Sequence, residues 1–149
     1  MAFGNISTAM AIPAEATASY TFPFRLCDAG LPTLTCRHAG DGTPGYKTAA
    51  WHAANAHGGG SKTLSEDNVR RSCLEDAQLI ADHCVVSWQH VVEEDGVAPR
   101  CTPVKVLEFL TFVINAVEGI DTFVAFRAWV RNGGTFRPAQ RTAAELGKP

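Results

Sequence analysis

The chain has 149 residues, 46% of them hydrophobic and 19% charged, with a formal net charge of −2. That length fits one domain, able to hold a core without metal or disulfide staples. The charge balance excludes a globally basic nucleic-acid footprint.

Residues 1–18 are small and polar, without periodicity, and read as a flexible N-terminal arm. Tyr20–Leu26 (YTFPFRL) alternates aromatic and polar positions like a strand, with Pro23 placing it at an edge. The turn residues DAGLP and the run Thr33–His38 then complete a predicted N-terminal β-hairpin. Thr43 can cap a helix that starts at Pro44, is rich in alanine and stops at Gly58-Gly59-Gly60. Ser65 caps the next helix. There Val69, Cys73, Ala77, Ile80, Ala81 and Cys84 recur at spacings of three and four as one apolar face, to about Val85. Residues 87–101 read as a short hairpin around the acidic tip Glu93-Glu94-Asp95-Gly96. Thr102 caps, and Pro103 opens, a helix over 103–117. Its polar residues Lys105, Glu108, Thr111 and Asn115 fall on one narrow stripe, so the rest should be buried, in this chain or against a partner. Glu118-Gly119 breaks it, and Asp121 caps a last helix, about Thr122–Asn132. The fold class expected is α+β: a mainly helical body of four helices with a small β element. It forms one domain over 19–137 and ends in a tail at 138–149.

A search for chemistry along the chain finds no catalytic set. GGGSKT lacks the glycine before lysine that a phosphate-binding loop requires, and it follows a helix rather than a strand. The five cysteines are odd in number and have no C-x-x-C pair, so reduced thiols packed as apolar groups are expected. Cys36-Arg37-His38 and His83-Cys84 lack zinc-knuckle spacing. Glu93, Glu94 and Asp95 read as the solvated tip of a bend, since an acid–base pair needs environments that split two pKa values. No metal, cofactor or nucleic acid is expected. The longest apolar stretch, about Val104–Val117, carries Lys105, Glu108 and Asn115 and is shorter than the ~20 residues of a membrane span. No basic segment followed by an apolar run opens the chain, so a soluble, cytoplasmic protein is expected.

The order of segments carries more information than any one of them. FPFRL and CRHAGDGTPGYKTAAW resemble the N-terminal part of a group of tail assembly chaperones of long-tailed bacteriophages. AQLIADHCVVSWQHVVEEDGVAPRCTPVKVLEFL resembles that group's middle signature, and Phe136 its closing element. The likeness runs over about residues 20–137, with Trp88, Asp95, Gly96, Thr102 and Pro103 as its signature positions and Gly42 where the pattern prefers asparagine. It implies a non-enzymatic protein of the host cytoplasm. Such a protein binds the tape-measure protein, promotes assembly of the tail-tube protein and self-associates. The apolar C-terminal half would suit a helical client, through Trp88, Phe109, Phe112, Phe123, Phe126 and Trp129, although most of these rings should form the protein's own core. The likeness also implies a test at the DNA level. In related phages the short chaperone can be extended by ribosomal frameshifting near its end, at codons that can read Gly-Lys. This chain ends Gly147-Lys148-Pro149, so the idea requires a slippery heptamer at those codons followed by an overlapping open frame. The alternative is a structural component of the virion tail, neck or baseplate, for which an N-terminal arm would order against neighbouring subunits.

Overall fold

The computed structural model describes residues 16–56 and 65–136. Most of the expected arm, the tail at 138–149, the Gly147-Lys148 end and the GGGSKT segment lie outside them.

The first strand, β1 (Thr17–Thr21), pairs antiparallel with β2 (Thr33–Arg37), Tyr20 opposite Leu34 and Thr17 opposite Arg37. The hairpin is the expected one, but its first strand starts earlier than Tyr20 and takes in two residues assigned to the arm. The reason lies at Pro23. Pairing continues only as far as the Phe22 N–H, which donates to the Pro32 carbonyl at 2.9 Å, and Pro23 has no N–H to extend it. On the outer face Ser19 meets Thr35 and Thr21 meets Thr33, hydroxyl to hydroxyl, at 3.0 and 3.2 Å. On the inner face Leu34 and Cys36 are fully buried.

The chain then forms α1 (Pro44–Ala56), with proline in the first turn. Thr43 does not cap it as expected. Its hydroxyl is buried and makes no hydrogen bond among the described residues. Helix α2 (Glu66–His83) is capped as predicted, Ser65 Oγ accepting the Asn68 N–H at 3.1 Å. It buries Cys73, Ala77, Ile80 and Ala81. It ends two residues early because the Cys84 carbonyl accepts the Arg37 N–H at 2.8 Å, which draws the chain into the sheet.

Strand β3 (Val85–Gln89) follows at once and pairs antiparallel with β2, giving the order β1-β2-β3 with an irregularity beside Thr35 and Cys36. This corrects the expected hairpin at 87–101. The outgoing strand exists, but its partner is β2, and residues 97–100 return without forming a strand. With β2 already in place, the ladder hydrogen bonds of β3 are satisfied there.

Helix α3 (Pro103–Asn115) starts as read, Thr102 Oγ1 accepting the Lys105 N–H at 3.3 Å with Pro103 at the first position. Helix α4 (Gly119–Arg131) starts earlier than the expected Asp121 cap. Glu118 precedes it in the left-handed conformation (φ 60°) and makes no side-chain cap. A short 3₁₀ turn (Gly133–Phe136) buries Phe136. Helix α2 packs on α1, α3 and α4, and α3 packs on α4. The core lies between these helices and the inner face of the sheet. Among the described residues no helix is long and apolar enough to cross a membrane.

Candidate functional site

Three of the rings proposed for a partner are core. Phe123 and Phe126 are fully buried and Phe109 is nearly so. They stack into an aromatic cluster around Phe22, which lies edge-on to Phe109 and tilted to Phe126, both at 5.3 Å between centroids. Trp129 is half-buried against Tyr20, Phe126 and Phe136, at 5.2, 6.4 and 5.6 Å. None of these four offers a broad surface.

Phe112 differs. It is 54% exposed, and its ring leads inward: Phe112 to Phe24 at 6.3 Å, Phe24 to Phe109 at 6.2 Å, Phe24 to Phe22 at 5.8 Å. A core aromatic chain therefore surfaces at Phe112. Around it the outward face of α3 carries Val104, 71% exposed, with Leu107, Thr111 and Ala116. The expectation that α3 is buried except for a polar stripe is thus corrected. Its inward face (Val106, Phe109, Leu110, Val113, Ile114) is buried, but the other side mixes apolar with polar residues. Phe112 lies on the polar stripe itself, four residues after Glu108 and three before Asn115. That spacing is the signal by which a sequence reading could have singled it out from the other phenylalanines.

Beside this face runs a groove of about 1080 Å³ between α3, the hairpin loop and the acidic turn. Trp88, Val91, Leu26, Phe109 and Phe112 form its apolar lining. The volume lies at or above the range of small-molecule pockets, roughly 300–1,000 Å³. The turn is built as read. Gly96 takes φ 81° and donates its N–H to the Glu93 carbonyl at 2.8 Å, while Asp95 Oδ1 accepts the Val97 N–H at 2.9 Å. Trp88 anchors the returning segment, donating its indole N–H to the Pro99 carbonyl at 3.1 Å while its ring meets Phe109 at 6.1 Å.

The acids of the turn are not equivalent. Lys105 Nζ lies 2.6 Å from Glu93 and 3.3 Å from Glu108, which ties the turn to α3. The hydrogen bonds to Glu93 and then to Glu108 raise the Lys105 pKa. Glu94 and Asp95 are exposed and stand at the groove's rim.

Elsewhere, Asp76 and His38 tie elements of the fold together. Asp76 of α2 accepts Arg127 at 2.7 Å and lies 3.2 Å from Arg131, pinning α4 to α2. His38 is buried, its Nδ1 accepting the Gly42 N–H at 3.2 Å, so Nε2 donates to the Arg131 carbonyl at 3.0 Å. The five cysteines are free thiols. Burial first, then the neighbouring Cys84 and Cys101, pushes the Cys36 thiol far up, and burial pushes Cys84 up to about 12. Such thiols stay protonated near neutral pH and are poor nucleophiles and metal ligands. No group of three or more His, Cys, Asp or Glu side chains is placed to hold a metal ion among the described residues.

Compared with known protein families, curated proteins and solved structures, the chain has no match.

Proposed function

We propose that this protein is a non-enzymatic tail assembly chaperone of a long-tailed bacteriophage. In this reading it holds the tape-measure protein on the outward face of α3 and the adjoining groove, in the host cytoplasm, until the tail-tube protein polymerises around it. One observation carries the docking part: Phe112 stands exposed at the end of an aromatic chain rooted in the core. An exposed ring backed by core aromatics, beside Val104 and Leu107, is what a helical client with an apolar stripe would cover. The phage assignment rests on the ordered likeness of residues 20–137, in which Trp88, Asp95-Gly96 and Thr102-Pro103 are the positions that build the turn and the start of α3.

Mass spectrometry of purified phage particles tests the assignment. A chaperone leaves before the particle is complete, so its peptides are expected to be absent or far below the stoichiometry of the tail-tube protein. Stoichiometric presence would establish the virion component instead.

A further inference from the structure

We infer that the groove beside α3 takes a basic amphipathic helix, with an apolar stripe on Phe112 and Lys or Arg side chains on the acidic rim. This rests on the docking role proposed above and adds the chemistry of the partner. The apolar floor is Trp88, Val91, Phe109 and Phe112. Around it stand five carboxylates, Asp28, Glu93, Glu94, Asp95 and Glu108, against the single ammonium of Lys105. That ammonium is already held between Glu93 and Glu108. Of the flanking cations, Arg25 donates to the backbone carbonyl of rim residue Asp28, at 3.5 Å, and offsets part of the rim's charge. A rim that stays net negative over an apolar floor repels acidic partners and steers basic ones. The shape favours a helix. Beside the groove, the outward face of α3 carries Val104, Leu107, Thr111 and Phe112 and continues to Ala116 just past the helix, at spacings of three, four, one and four along 13 residues, about 20 Å of axis. A partner helix of about four turns matches that length, with its own stripe repeating every three to four residues.

The test uses the full chain and two labelled synthetic 18-residue helices. They share one leucine stripe, and their polar flanks are Lys/Arg in one and Glu in the other. Fluorescence anisotropy is expected to show at least roughly tenfold tighter binding of the basic peptide, a preference that shrinks from low salt to about 0.5 M salt. Phe112→Asp and, independently, Val104→Asp should each weaken binding of the basic peptide roughly tenfold or more, with circular dichroism unchanged. Asp28→Asn/Glu94→Gln/Glu108→Gln should narrow the gap between the peptides. Equal binding of both, each lost in Phe112→Asp, overturns the basic partner but leaves a docking face. Failure of the basic peptide to bind, or binding indifferent to both α3 variants, overturns the inference outright. So does a self-associated wild type that sedimentation velocity shows to become monomeric in Phe112→Asp, because the occupant is then a second copy. None of these outcomes bears on the particle measurement, which judges the chaperone role separately.

Discussion

The Trp88 indole donates to the Pro99 carbonyl at 3.1 Å, closing the acidic turn onto the end of β3. The same ring packs on Phe109 of α3. One side chain thus sets both the turn and the helix that line the groove. Trp88→Phe keeps the packing and drops the hydrogen bond, and should cost about 1 kcal/mol. Trp88→Ala removes both and should cost about 2–3 kcal/mol in urea unfolding. Equal effects of the two would mean that the hydrogen bond alone holds the turn.

The acids at the tip separate by partner. Glu94→Ala should change stability by less than about 0.5 kcal/mol. Glu93→Ala breaks the 2.6 Å contact with Lys105 and should destabilise more than Glu94→Ala at low salt. The difference should close at about 0.5 M salt, where an exposed pair is screened. A difference that persists unchanged would show that Glu93 acts through packing rather than charge.

The corner between α3 and α4 inverts the usual use of glycine. Glu118, not Gly119, holds the left-handed conformation. Gly119 is needed because a Cβ there would run into the Val113 carbonyl. Gly119→Ala should therefore cost at least about 2 kcal/mol. Glu118→Gly should stabilise by about 0.5 kcal/mol, relief of left-handed strain outweighing the added freedom of the unfolded chain. Paired denaturation curves check both signs at once.

The buried thiols predict a loss of stability in alkali. The folded Cys84 value lies above the ordinary value near 9, at about 12. The stability from keeping it protonated is complete below pH 9 and is lost as pH rises from there toward 12. Cys36 and Cys73 are shifted in the same direction by burial. Unfolding midpoints should fall steadily over that window, and at pH 8 Cys36, Cys73 and Cys84 should resist a thiol reagent until the protein is unfolded. Rapid native-state labelling of Cys84 would contradict the packing described.

Local chemistry made several elements legible before the structure. Ser65, Thr102-Pro103 and Asp95-Gly96 act within a few residues of themselves, so their roles follow from the sequence alone. Long-range partners did not. An extended segment from Ser87 was readable, but not that the strand would start at Val85 or that β2 would take it, because nothing local names a strand's neighbour. The first strand moved toward the N-terminus because pairing stops at Pro23, whose position within the run was visible while its register was not. Phe109 and Phe112 project only about 60° apart around α3, yet one is buried and the other exposed. Phe24 touches both rings, whereas Phe22 and Trp88 pack on Phe109, and these contacts join residues far apart in the chain.

The most direct measurement is co-expression of the tape-measure protein with this chain and with its Phe112→Asp variant, reading the soluble fraction of the client. The wild type is predicted to raise that fraction several-fold, and Phe112→Asp, itself folded and soluble, to leave it near the level of the client expressed alone. A client no more soluble with the wild type, or equally rescued by the variant, would contradict the assignment of the α3 face as the client-binding surface.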